Sequence, residues 1–335
     1  MTAIAGIAAP NAGERVQHML AQMAHRGPQG SLVHSTAAVT MGVSWPAGQP
    51  EAGDRLKTAG RAEDIVSDSH YAWAAPEGNS FTLERDPLGV SPLYYGRNED
   101  GHLCFASEVK GLAGQVQRVR ELPPGTRLKK DKVSAHFELE LKEPVDEPRQ
   151  AVAAQLRRRL ESAVGKRAGK GVPFGSWLSG GLDSSVLAAL ARQHTQSLHT
   201  FAAGFAGAPD LEAARVVARH IGSTHHEVIP TFADIVQIIP DVIRHLESFD
   251  ALLVRSSLMN YLVAKLAADY VPAVFSGEGG DELFAGYSYL KRLGVDELPG
   301  ELLDITSRMH NTALQRVDRC AAAHGTIAYV GLLDD

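Results

Sequence analysis

"WLSGGLDSSVLAAL", residues Trp177 to Leu190, joins an apolar run to an alanine-rich segment of helical spacing through Ser179, Gly180 and Gly181. Glycines at such a junction point to something that approaches the backbone closely. The start of a helix offers N–H groups with no partner inside the helix, together with the positive end of its dipole. Glycines leave room for an anion to reach them. The stretch therefore reads as the strand, loop and helix of a phosphate-binding α/β domain. It contains neither G-x-x-x-x-G-K-S/T nor G-x-G-x-x-G. A serine–glycine turn in which Asp183 or Ser184 caps the helix is the competing reading.

The flanking sequence supports the first reading. "VPFGSWL" precedes the helical "SSVLAALARQH", "LHTFAAGF" precedes "PDLEAARVVARHIG", and "HHEVI" precedes a longer helical region. Strands alternating with helices predict parallel strands linked by crossover helices. The next strand, "VPAVFSG", runs into a second glycine loop, "FSGEGGDELFAGY", Phe275 to Tyr287, which adds Glu278, Asp281 and Glu282. In a parallel sheet the carboxyl ends of the strands share one edge, so Asp183 and Asp281 can face one crevice. Two carboxylates beside triphosphate oxygens suit Mg²⁺, a hard ion that takes few protein ligands alongside phosphate. The alternative is that these acids only solvate a turn.

Upstream the texture differs. Residues up to about Leu141 show short β-like runs with glycine and proline turns and little sustained helical periodicity, as in "FTLERDPLGVSPLYYG". This half reads as an antiparallel-sheet domain. "LKEPVDEPRQ", Leu141 to Gln150, reads as a linker, and the helical "AVAAQLRRRLESAV" follows it. Domains are expected over 1–145 and 150–335. The basic run Arg157 to Leu160 reads as a solvated helix face.

Composition narrows the classes. A chain of 335 residues, 44% hydrophobic and 21% charged with a formal net charge of −6, suits a soluble globular protein. That charge makes no general case for nucleic acid or membrane as partner. Cys104 and Cys320 are too few for a disulfide framework or a cysteine-based zinc site. The N-terminal "MTAIAGIAAPNAGERV" lacks the basic start and apolar core of a secretory signal, so a cytoplasmic location is expected.

The heptapeptide S-G-G-L-D-S-S resembles the pyrophosphate-binding loop of the ATP pyrophosphatase superfamily, whose members activate a carboxyl or carbonyl by adenylation. The whole chain resembles glutamine-dependent asparagine synthetases and their relatives that make β-lactams or cyclic peptides. In family order it carries "HRGPQG" (His25 to Gly30), "RDPLGVSPLYYG" (Arg85 to Gly96), "FASEVKGL" (Phe105 to Leu112) and "LPPGT" (Leu122 to Thr126). "LSGGLDSS", "FAAGFAGAPDLEAA", "ESFDALLVRSS" and "SGEGGDELFAGY" follow. The resemblance implies an N-terminal αββα sandwich of the N-terminal-nucleophile (Ntn) hydrolase type, then an adenylating parallel-sheet domain. It implies a phosphate loop of Ser179, Gly180, Gly181, Asp183, Ser184 and Ser185, and Mg²⁺ on Asp183 and Asp281. Adenosine of ATP would lie against Leu178, Ala203, Ser276 and Gly277, with Glu278 near the reacting carboxyl to assist amine attack. The histidines of "STHHEV" are expected to pack rather than bind metal.

Departures from the family set the expected chemistry. Family glutaminases use an N-terminal cysteine followed by Gly-Ile, and the Gly-Ile register here puts Ala5 at that position, with Thr2 three residues too early. No N-G-E segment occurs, the stretch between Trp45 and Trp73 is too short for the usual glutamine-pocket strands, and Gln29 replaces an aspartate. Near the end, Ile327, Tyr329, Gly331 and Leu332 stand where Glu, Arg, Pro and Phe are expected. On the resemblance, a later helical region with a lysine aimed at the phosphates is expected to be absent, a loss worth about 10² to 10³ in rate for a charge aimed at a transition state. Expected is an AMP-forming amide ligase that joins a small carboxylate to ammonia or an amine without glutaminase activity. The rival is a nucleotide-binding pseudoenzyme or a subunit of a heteromeric synthetase. A homodimer or heteromer through the C-terminal half is also expected, to cover apolar faces near "LLDITSRMHNTALQRV" and the sheet edge.

Overall fold

Alternating burial builds the first half. In the strand Ala3–Ile7 successive side chains point to opposite sides of a sheet. Ile4 faces one core, with Met41, Val43, Ala72, Ala74, Phe81, Leu83, Phe105 and Leu128. Ala3, Ala5 and Ile7 face another, with Val16, Met19, Leu20, Cys104 and Ala106. The first core fills the space between two antiparallel sheets. One has six strands, in the order Gly30–Ser35, Thr40–Trp45, Ala3–Ile7, Leu103–Ala106, Tyr94–Arg97 and Arg120–Glu121. The other runs Lys132–Ala135, Thr126–Lys129, Ser80–Arg85, Tyr71–Glu77 and Ala62–Ile65. The helix Gly13–Gln22 covers the outer face of the six-stranded sheet, and a second helix, Glu51–Ala59, packs on Thr40–Trp45 and Ala62–Ile65. The i, i+3, i+4 spacing of Val16, Met19 and Leu20 is the helical signal inside a half that reads mainly as strands.

The computed structural model describes residues 2–47, 49, 51–67, 69–169 and 171–334. Met1 and Asp335, the outer limits of the two expected domains, lie outside the described residues. The chain divides into two compact units, residues 1–138 with 322–326 and residues 139–321 with 327–335. Exposed chain without regular structure continues to Pro148, and the helix Arg149–Ala168 follows, with Arg157, Arg158 and Arg159 in solvent.

The second unit is built on a five-stranded parallel sheet in the order Thr224–Val228, His199–Ala203, Phe174–Trp177, Ala273–Phe275 and Ile327–Tyr329. The chain enters at the middle strand, Phe174–Trp177, builds outward on one side, then returns to build on the other. That reversal leaves a crevice at the carboxyl ends of Phe174–Trp177 and Ala273–Phe275, where open α/β sheets bind ligands. Helices Leu182–Arg192 and Pro209–Ile221 close on the sheet around Leu178, Ala188, Ala202, Leu211 and Ala214. Helix Ala251–Ala268 is long and apolar enough to cross a membrane by composition alone, but it packs on strands His199–Ala203 and Thr224–Val228.

The C-terminal segment corrects one expectation. The stretch around 302–317 is expected to leave apolar faces uncovered, yet Met309, Ala313, Leu314 and Val317 are buried, and Leu302, Leu303 and Ile305 are half-buried. The sheet edge is formed by Ile327–Tyr329 itself, all three residues buried. Beyond it, the Ser276 N–H donates to the Tyr329 carbonyl at 2.9 Å, Leu333 packs against Gly279, and Asp334 pairs with Arg167 at 2.9 Å.

Histidines gather on the strands Thr224–Val228 and His199–Ala203. His199 Nδ1 and His226 Nε2 lie 2.9 Å apart, so one ring must accept while the other donates, and His226 also lies 3.9 Å from the Tyr270 ring, centroid to centroid. Burial pushes both His225 and His226 below the ordinary histidine range, and the neighbouring His199 and His225 add to this at His226. In the unfolded chain histidine titrates near about pH 6.5. Both rings thus contribute stability that is intact above that pH and is lost as the pH falls through their lower folded values. His226→Phe keeps the ring and removes the titration. Its melting temperature should fall less than the wild type's between about pH 7.5 and about pH 5.5. Equal falls in a thermal-melt series would remove His226 from the acid response.

Candidate functional site

Two loops meet at the crevice. The first, after Trp177, is shaped by its own serines: Ser179 Oγ and Ser184 Oγ lie 3.0 Å apart, and the Ser179 N–H donates to Ser184 Oγ at 3.2 Å. Gly180 has φ +79° and lies so close to the helix Pro209–Ile221 that a Cβ would come within 2.4 Å of Ala213 Cβ. Gly181 starts the helix Leu182–Arg192, and no side chain among the described residues caps it. The capping reading for Asp183 or Ser184 is therefore replaced. Ser184 Oγ bonds back into the loop, and the first N–H groups of an eleven-residue helix are left uncapped by any side chain.

The second loop follows Phe275. A Cβ on Gly277 would lie 2.8 Å from the Ser184 nitrogen, and one on Gly280 would lie 2.3 Å from the Asp183 carboxyl carbon. Only bare backbone fits against the first loop there. Burial raises the Asp183 carboxyl above the usual carboxylate range, and the charges of Asp281 and Glu282 raise it further. Glu282 is buried and accepts a hydrogen bond from Tyr287 Oη at 2.6 Å. Carboxylates that repel one another while facing open space form the donor set a hard divalent cation relieves.

Between the loops lies a cavity of about 470 Å³. Leu178, Ser179, Gly181, Asp183, Ser184, Ala203, Ser276, Gly277, Glu278 and Asp281 line it. Gly180 and Ser185 do not. Gly180 shapes the turn from behind, and Ser185 Oγ donates to the Gly181 carbonyl at 2.6 Å. Sequence reasoning missed Asp210, Met259, Asn260, Tyr287 and Arg316, which also line the cavity. Asp210 had a legible signal, because it opens the helix after the neighbouring strand in "APDLEAA". Met259 and Asn260 come from the interior of a long helix, where only a polar residue in an apolar run could have marked them. Arg316 bonds Glu278 from 38 positions away, and nothing local announces it.

That pair changes the picture of Glu278. Arg316 Nη2 donates to both carboxylate oxygens at 2.8 Å. Burial pushes the Glu278 carboxyl up and Arg316 pulls it back. Two buried donors on the lining, Trp177 Nε1 and Arg316 Nε, have no hydrogen-bond partner among the described residues. Orphaned donors beside an apolar wall of Leu178, Phe201, Ala202 and Met259 fit a ligand with a flat apolar body and polar edges.

In the first unit, the Gly-Ile register that assigns Ala5 to the nucleophile position is corrected. Ala5 is mid-strand, opposite Gly42 and Ala106, and its methyl is buried in the helix-facing core. Thr2 is the residue of this segment that stands among polar groups. Its N–H donates to Asp64 Oδ1 at 2.8 Å, its hydroxyl donates to Gln49 Oε1 at 3.0 Å, and its carbonyl accepts from Arg26 Nε at 3.3 Å.

Two family models match the chain. Residues 155–316 match the family described as Asparagine synthase, and residues 70–143 match the Glutamine amidotransferase domain. Asparagine synthetase B (glutamine-hydrolyzing) of Escherichia coli K12 is 33% identical over 296 residues, covering 81% of this chain and 52% of the relative. Asparagine synthetase (glutamine-hydrolyzing) 2 of Lotus japonicus is 38% identical over 276 residues, covering 76% and 46%. The chain thus spans about half the length of the curated relatives it matches. A solved glutamine phosphoribosylpyrophosphate amidotransferase from B. subtilis, complexed with ADP and GMP, aligns over 70% of each chain at 13% identity and a TM-score of 0.31. Over residues 155–316 the chain belongs to the asparagine synthase family, and over residues 70–143 it carries the glutamine amidotransferase domain.

Proposed function

We propose that this chain is an ATP-dependent, AMP-forming ligase of asparagine synthetase type that takes ammonia or an amine. The observation that carries the reading is the meeting of the two loops at the strand reversal, with the uncapped helix start and its Asp183 on one side and Asp281 on the other. In this reading the N–H groups that follow Gly181 and the Ser179 hydroxyl cradle the phosphates, while Ser185 braces the loop through the Gly181 carbonyl. Leu178, Ala203, Ser276 and Gly277 border the adenosine. Asp183 and Asp281 would hold Mg²⁺, which supplies charge neutralisation for the phosphates. A substrate carboxylate oxygen attacks the α-phosphorus, pyrophosphate leaves, and the acyl-adenylate then loses AMP to an amine. The chain's own contribution is positioning and fixed dipoles.

Glutamine is not the nitrogen source in this proposal. Ala5 offers only a methyl, and Thr2 spends its hydroxyl on Gln49 and its N–H on Asp64. A nucleophile needs an adjacent base, and the carboxylate beside Thr2, Asp64, accepts from its N–H while the hydroxyl is turned to Gln49.

One assay tests both parts. Pyrophosphate release from Mg²⁺–ATP is followed over a panel of small carboxylates, with ammonium, with glutamine, or with neither. Expected are release with some carboxylate, amide formation with ammonium, and no glutamate from glutamine. Nucleotide binding without release for any carboxylate would favour the pseudoenzyme reading. Glutamate formation that disappears in Thr2→Ala would restore a glutaminase.

A further inference from the structure

Counting charge around the cavity isolates one residue. Asp183, Asp210, Glu278 and Asp281 are acidic, and Arg316 is the one basic residue on the described lining. It comes from the helix Ala313–Ala322, held by buried Leu314 and Val317 and by the hydrogen bond from Gln315 Nε2 to the Leu246 carbonyl at 2.8 Å. A single nitrogen, Nη2, reaches both Glu278 oxygens, and about a fifth of each side chain stays open to solvent. Arginine–carboxylate pairs are frequently bidentate, with the fork of the guanidinium on the two oxygens side by side. Here Nη2 alone makes the contact, and Nε has no acceptor among the described residues.

We infer that Arg316 is a positioning residue for the amine step: through Nη2 it holds both oxygens of Glu278, so that this carboxylate stands fixed at the cavity as acceptor of the proton the attacking amine gives up. The assignment rests on the ligase reading above. As the C–N bond forms, an N–H proton of the amine passes to a Glu278 oxygen. The C–O bond to AMP then breaks, AMP leaves with its electron pair, and the proton returns to solvent. No oxidant or further reactant is required. Glu278 must be ionised and aimed to accept that proton in a cavity whose other charged walls are acidic. Removing Arg316 would leave it repelled by Asp281 and Glu282 and free to turn away.

The experiment separates the two half-reactions in the full chain. ATP–pyrophosphate exchange with the carboxylate found above reads adenylation, and amide formation with ammonium reads the second step. Arg316→Gln should keep exchange within about threefold and lower amide formation by about 10²-fold, the scale of a mispositioned base. Arg316→Lys, which keeps the charge on a shorter side chain without the planar guanidinium, should recover about tenfold of that loss. In Glu278→Gln, adding Arg316→Gln should change amide formation by less than about twofold, because the two residues act as one unit. Equal losses in both half-reactions, or multiplicative losses in the double variant, would show that Arg316 only braces its helix. If Arg316→Gln does not fold, Arg316→Lys carries the test through a loss confined to amide formation. A wild type that exchanges no pyrophosphate removes the ligase reading itself, and this assignment with it.

Discussion

Asp183→Asn should abolish the magnesium-dependent part of nucleotide binding and lower pyrophosphate release by about 10² to 10³-fold, the cost of removing one charge aimed at a developing phosphate charge. The same change should make the ligand-free protein more resistant to heat. Burial and the fields of Asp281 and Glu282 hold the Asp183 carboxyl above its ordinary range, so without a cation its charge opposes folding at neutral pH. An amide of the same shape removes that repulsion. The two effects have opposite signs, which a general packing defect cannot produce. Melting curves with and without ATP, in Mg²⁺ and in EDTA, read both. A variant less stable than wild type in EDTA, or one that keeps its full Mg²⁺–ATP shift, would take Asp183 out of the cation site.

The other large effect is expected at Gly180. Its φ of +79° is strained for alanine, and the added Cβ would sit 2.4 Å from Ala213 Cβ and 2.5 Å from the Ala213 carbonyl carbon, a helix backbone that cannot yield. Gly180→Ala should therefore cost about 2–4 kcal/mol in stability. It should also remove nucleotide binding, because the loop can only relieve the clash by moving its N–H groups off the cavity. Gly181→Ala is the control. That residue has φ −67°, and its nearest obstacle is Ser179 Oγ at 3.3 Å, so the fold should lose far less. Urea titration and calorimetry of the two variants make the comparison. Equal losses would mean that the turn is not shaped by contact with Ala213.

These two positions show why part of the site could be read directly from the chain. Gly180 and Asp183 belong to a loop whose geometry is local: a strand end, a glycine turn and a helix start lie within a few consecutive residues. The parallel sheet was legible for the same reason, since each strand and its crossover helix announce themselves in turn. Arg316 is the counter-example. Its meaning comes from the approach of the helix Ala313–Ala322 to the loop that carries Glu278, and no local period encodes that approach. Ala5 misled for a related reason. Gly-Ile fixes a register by short identity, whereas burial in the strand Ala3–Ile7 is decided by partners at Gly42 and Ala106.

The strand Ile327–Tyr329 bears on the order in which the molecule can be completed. The second loop leans on residues that follow it by some fifty positions: the Ser276 N–H needs the Tyr329 carbonyl, and Gly279 needs Leu333 against it. During synthesis, at about 5–20 residues per second, the first loop and its helix emerge and can settle several seconds before those supports exist. For that interval the growing chain holds half a crevice, one open β edge at Ala273–Phe275, and an acidic loop without its scaffold. The vulnerable species during synthesis is the nascent chain paused short of residue 327.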